Sequence, residues 1–70
     1  ASMFAGCTNI NTSINILNST NTDYTGMFSN AATAANAKIT VNYIADASTL
    51  VDNMIATKSS NSNVVKGNQI

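Results

Sequence analysis

The sequence predicts a small, mostly irregular or extended chain with short α-helices at about 27–37 and 46–57 and no self-contained core. Three observations lead there. Seventy residues lies near the lower limit for a chain that folds alone. Twelve Asn, nine Thr and eight Ser leave 21 strongly apolar side chains beside ten Ala, a thin supply for a core. Small domains usually make up such a deficit with disulfides, a metal or association. Cys7 is alone, and with no His or Glu the three Asp cannot complete an ordinary metal site. Association remains, so residues 1–70 are expected to form a single assembly-dependent chain without separable domains. The alternative is an all-α helical hairpin with one long arm from about residue 26 to 57.

Along the chain, Ile10, Ile14 and Leu17 fit one face of a two-turn helix, while Ile14 and Ile16 alternate and equally allow a strand. Asn18 to Thr25 reads as a loop closed by Gly26. Met27 to Ala37 is dense in Ala, the best helix former, with Phe28, Ala32, Ala35 and Ile39 on one stripe. Ile39, Val41 and Tyr43 alternate with polar residues as a short strand would, with helix continuation as the competing reading. In the 46–57 helix Ser48 is placed to cap the start, Asp52 lies in the first turn, and Lys58 suits the negative end of the dipole. Leu50, Val51, Met54 and Ile55 form its apolar face. Everything after Ser59 reads as extended or irregular, and no internal repeat stands out.

Charge is sparse and balanced: Lys38, Lys58 and Lys66 against Asp23, Asp46 and Asp52. Three scattered lysines do not make the basic patch that a phosphate backbone needs, so no nucleic-acid site is expected. Nucleophilic catalysis requires a base beside Ser, Cys or Thr, usually His, and none exists. Lys58-Ser59 is adjacent in sequence only. No enzyme activity, catalytic residue, metal or cofactor is expected. Asn11-Thr12-Ser13 and Asn18-Ser19-Thr20 match the glycosylation sequon, as chance alone would produce in so Asn-rich a chain. Ala5-Gly6-Cys7 is similar to the end of a bacterial lipobox but lacks the apolar stretch before it, which makes Cys7 a small buried thiol by default.

Asn42-Tyr43-Ile44-Ala45-Asp46-Ala47-Ser48 resembles the small internal capsid protein of picornaviruses and related picorna-like viruses, which is also short, nearly neutral and dense in Asn, Ser and Thr. The resemblance implies a chain cut from a precursor, lining the inner face of a virus shell in the virion interior, and acting on the host membrane at entry. Ala1 stands where the picornavirus protein has a myristoylated Gly, so no myristate is expected. Ala1-Ser2-Met3 followed by Phe4 is similar to the start of the membrane-active peptide of insect nodaviruses. Ser48-Thr49-Leu50-Val51-Asp52-Asn53-Met54 is similar to the carboxyl-terminal helix of type III secretion needle subunits, which implies the alternative of an extracellular helical filament. Both readings make the partners other structural protein chains, shell proteins or further copies, with a host membrane as a further contact. The residues expected to face partner or membrane are Met3, Phe4, Ile10, Ile14, Leu17, Leu50, Val51, Met54 and Ile55.

Overall fold

A computed structural model describes residues 3–70. Strand β1 runs Asn11–Ile16, β2 Lys38–Tyr43 and β3 Val64–Gln69. Between β2 and β3 the chain makes a 3₁₀ turn, Ala45–Ala47, and one helix, α1, Ser48–Ile55. The strands form one sheet in sequence order, β1-β2-β3, and both pairings are parallel. Strands β1 and β2 alternate. Thr12, Ile14 and Ile16 of β1 and Ile39 and Val41 of β2 turn toward the core, and polar neighbours such as Asn11, Ser13 and Asn15 turn to solvent.

Pairing extends well beyond the strands. Residues 4–10 lie along residues 27–38 through Phe4 N–H to Met27 C=O (3.0 Å), Gly6 N–H to Ser29 C=O (2.9 Å), Ala32 N–H to Cys7 C=O (2.9 Å) and Lys38 N–H to Ile10 C=O (3.0 Å). A third layer repeats the arrangement with side chains. Thr57 Oγ1 accepts from Phe28 N–H (3.1 Å), and Ser59 Oγ accepts from Asn30 N–H (2.9 Å). Asn63 Nδ2 donates to Ala37 C=O (2.8 Å). The chain is thus three stacked rungs, with Asn11 opposite Lys38 and Ile39 opposite Val64. Here the Ser, Thr and Asn content has a structural use: short polar side chains bond the backbone of the next rung.

The sequence expectation of a chain without a self-contained core is overturned. Phe28, Ile39, Val41, Val51 and Met54 are fully buried, joined by Met27, Val64 and the alanines at 31, 32, 37 and 47. Alanine thus adds four buried side chains to a core built on few large apolar residues. A radius of gyration of 11.1 Å matches the ~11 Å of a folded globule of this length. No buried side-chain nitrogen or oxygen among the described residues lacks a partner; even Ser62, 5% exposed, reaches Phe28 C=O at 3.4 Å.

The helical expectations are corrected in the same way. Residues 27–37 are turns, because Gly26, Asn30 and Ala32 hold φ of 65°, 54° and 50°, left-handed values incompatible with a continuous right-handed helix. The all-α hairpin fails with them, since its long arm would run through β2. The 46–57 helix is real in part, as the turn at Ala45–Ala47 followed by α1. Its N-cap is Ala47, without a side-chain cap bond, and Ser48 is already helical. The repeat that the sequence does not announce is visible as Met3-Phe4 and Met27-Phe28. Phe4 and Phe28 stack at 5.8 Å between ring centroids with 12° between planes.

Candidate functional site

Two features carry polar or open chemistry. The first joins α1 to β3. Lys66 Nζ lies 2.9 Å from Asp52 Oδ1, donates to Ser48 Oγ at 2.9 Å, and sits 4.9 Å above the centre of the Tyr43 ring. Lys66 Nζ thus donates to Asp52 and to Ser48 at once. Both side chains of the pair are substantially exposed (31% and 60%), so the pair is screened and worth at most ~1 kcal/mol. Asp52→Asn is expected to lower stability by less than ~1 kcal/mol in urea unfolding, with the difference shrinking further in high salt. This cluster fastens the helix to the third rung.

The second feature is the outer edge of β1. The bonds Lys38 N–H to Ile10 C=O and Ile44 N–H to Ile16 C=O (3.1 Å) set the phase of the ladder. In a parallel pair alternate residues turn their backbone groups to a given neighbour. Residues 10, 12, 14 and 16 therefore face β2, and Asn11, Ser13 and Asn15 present N–H and C=O to the open side. Among the described residues no strand pairs with this edge. No charged side chain occurs before Asp23, and β1 contains no Gly, no Pro and no bulge. The opposite edge is different: β3 carries Lys66 and Gly67, and its register slips by one residue between Val41 and Tyr43 of β2. An inward lysine and a bulge are among the devices by which natural sheets discourage edge pairing.

Asparagine side chains link the rungs on the outer face of the sheet, bonding one another and the backbone. Asn42 Nδ2 donates to Asn15 Oδ1 (3.3 Å), and Asn42 Oδ1 accepts from Asn68 N–H (3.0 Å). Asn11 Nδ2 donates to Asn36 C=O at 3.2 Å. Asn15 thus uses its carbonyl oxygen and Asn11 its amide nitrogen.

The residues expected to face a partner divide three ways. Met3 (69% exposed) and Leu17 (65%) stand open at the two ends of the first rung. Phe4, Ile10, Ile14, Leu50 and Ile55 are half-buried against the chain's own core. Val51 and Met54 lie inside that core, at 0% and 1% exposure. The structure therefore separates the helix face from the first rung and leaves only rung residues open. Cys7, expected as a buried thiol, is half-exposed. Ser13, Asn11 and Asn15 were missed as candidates. Their signal was an uncharged six-residue segment with β-branched residues at alternate positions, which the helical spacing of Ile10, Ile14 and Leu17 left undecided between helix and strand. Among the described residues no helix is long and apolar enough to cross a membrane, no pocket is present, and no three His, Cys, Asp or Glu side chains gather. No protein-family model, curated protein or solved structure matches this chain.

Proposed function

We propose that the chain is a structural, non-enzymatic protein that assembles with other protein chains through the open edge of β1. One observation carries this reading: the outward backbone groups of β1 pair with no other strand, Ser13 C=O taking only a long bond from Thr12 Oγ1 (3.4 Å), and no charge, proline or bulge deters pairing there, in a molecule whose other edge has such devices. The exposed Met3 and Leu17 at the ends of the same rung add apolar area to an association surface. The internal-capsid and filament readings both belong to this class. The capsid reading drew part of its support from an extended chain without a core, and that part is gone, so the proposal rests on the edge and not on either resemblance.

Sedimentation of the purified chain over a concentration series is the test. The weight-average mass is expected to rise with concentration toward the millimolar range, and Ser13→Pro is expected to keep it at one chain while the circular dichroism spectrum stays unchanged. Proline there removes only an edge-facing N–H, which edge strands tolerate. A wild-type chain that stays monomeric throughout overturns the proposal.

A further inference from the structure

The geometry points to a specific partner for this edge: a second copy of the same chain, its β1 antiparallel to the first across a two-fold axis at Ser13, giving a closed dimer. The inference rests on the assembly reading above and names the occupant of the edge. A two-fold interface must be self-complementary, because each surface meets itself. The segment Asn11-Thr12-Ser13-Ile14-Asn15 has that property, with Asn at equal distances on either side of Ser13 and a β-branched residue at each position between. Centring an antiparallel pair on Ser13 sets Ser13 opposite Ser13 and Asn15 opposite the second copy's Asn11. These are the residues whose N–H and C=O face outward. Each opposed pair can therefore exchange two backbone hydrogen bonds.

The side chains agree with the backbone. Asn15 already uses its carbonyl oxygen, on Asn42, which leaves its amide nitrogen as a donor. Asn11 uses its amide nitrogen, on Asn36, which leaves its carbonyl oxygen as an acceptor. Asn15 of one copy can thus donate to Asn11 of the other, and the two-fold supplies the same bond a second time. The asparagine links of the outer face run on from one copy into the next. Thr12 and Ile14 face each other on the inner side, a β-branched cross-strand pair. No charged side chain lies in the first rung to oppose any of this.

Closure follows from the asymmetry of the two edges. A head-to-tail stack would need β3 of one copy to accept β1 of the next, and β3 carries Lys66 and the bulge. With only β1 unguarded, each copy has one edge to offer and the assembly stops at two. A single pair of short strands makes a small interface, so the dissociation constant should fall between about 1 μM and 1 mM.

Residue-resolved amide hydrogen exchange over a concentration series, run beside sedimentation, tests the arrangement. The mass should level off at twice the 7.3 kDa of one chain. Exchange at Asn11, Ser13 and Asn15 should slow by at least about tenfold as the dimer forms. Thr12, Ile14 and Ile16, already bonded to β2, should change little, as should β3. Ser13→Lys places two ammonium groups opposite each other and should weaken the dimer, with partial recovery in high salt. Mass growing past two chains, with β3 amides gaining protection, overturns the two-fold arrangement in favour of head-to-tail stacking and leaves the assembly reading intact. A dimer without slowed exchange at the three odd-numbered amides also overturns it. A chain that never associates removes the assembly reading itself.

Discussion

Phe28→Ala should remove about 3–5 kcal/mol, between about a third and all of the chain's stability, and lower the urea midpoint accordingly. Phe28 is fully buried, the largest side chain so placed, and it stacks on Phe4. Truncating a buried phenylalanine costs about 3–5 kcal/mol in lost transfer energy and residual cavity. At ~0.05–0.15 kcal/mol per residue, a chain of this length has only about 4–10 kcal/mol of stability in total. The site also has little freedom to collapse. Its backbone N–H is bonded to Thr57 Oγ1 and its C=O to Ser62 Oγ, so rungs two and three hold the gap open. Phe28→Leu is the informative companion. It retains most of the apolar volume and loses the ring pair, worth ~0.5–1.5 kcal/mol, so it should remain folded with a lowered urea midpoint. Urea unfolding followed by circular dichroism distinguishes the two. If Phe28→Ala matched wild type, the stacked-rung core would not be what holds the chain together.

Phe28 also shows where the sequence was legible and where it was not. The sequence places it with Ala32, Ala35 and Ile39 on one stripe of a helix, because the Ala-rich context favours one. Helix propensity is a weak prior, and here the left-handed backbone at Gly26, Asn30 and Ala32 overrides it so that residues 27–34 can lie along the first rung. The α1 region was readable because its apolar residues recur at helical spacing over two turns. The alternation of Ile39, Val41 and Tyr43 was equally readable, but the Ala-rich run before it offered helix continuation as the competing reading. Parallel pairing hides its partners well: Asn11 and Lys38 stand opposite each other with 26 residues between them. The recurrence of Met-Phe at 3–4 and 27–28 was the available clue to stacking, but two residues are too few to announce a repeat. The open edge was harder still. Which backbone groups face outward depends on ladder phase, and a sequence carries that only once the pairing is known.

Gly67→Ala should destabilise the chain by about 1–3 kcal/mol, although exchanging glycine for alanine in extended backbone normally stabilises by ~0.4–1 kcal/mol. The reversal comes from the neighbouring rung. A Cβ at position 67 would fall on Asn42 Oδ1 and come within 2.8 Å of Thr40 Cγ2. Asn42 cannot step aside without loss, since Oδ1 accepts from Asn68 N–H and Nδ2 donates to Asn15. Each of those bonds is worth ~1 kcal/mol net. The glycine therefore exists to admit the asparagine, at the point where β3 carries its extra residue. Asn42→Ala alone should cost about 1–2 kcal/mol, for the two bonds. Combining the substitutions should cost less than their sum by at least ~0.5 kcal/mol, because the added methyl then enters space the carboxamide has vacated and only the Thr40 contact remains to be relieved. Urea midpoints of the four proteins close this double-mutant cycle. Strict additivity would mean that Gly67 and Asn42 do not share the space assigned to them, and that the asparagine links across the three rungs are not a stabilising element of the fold.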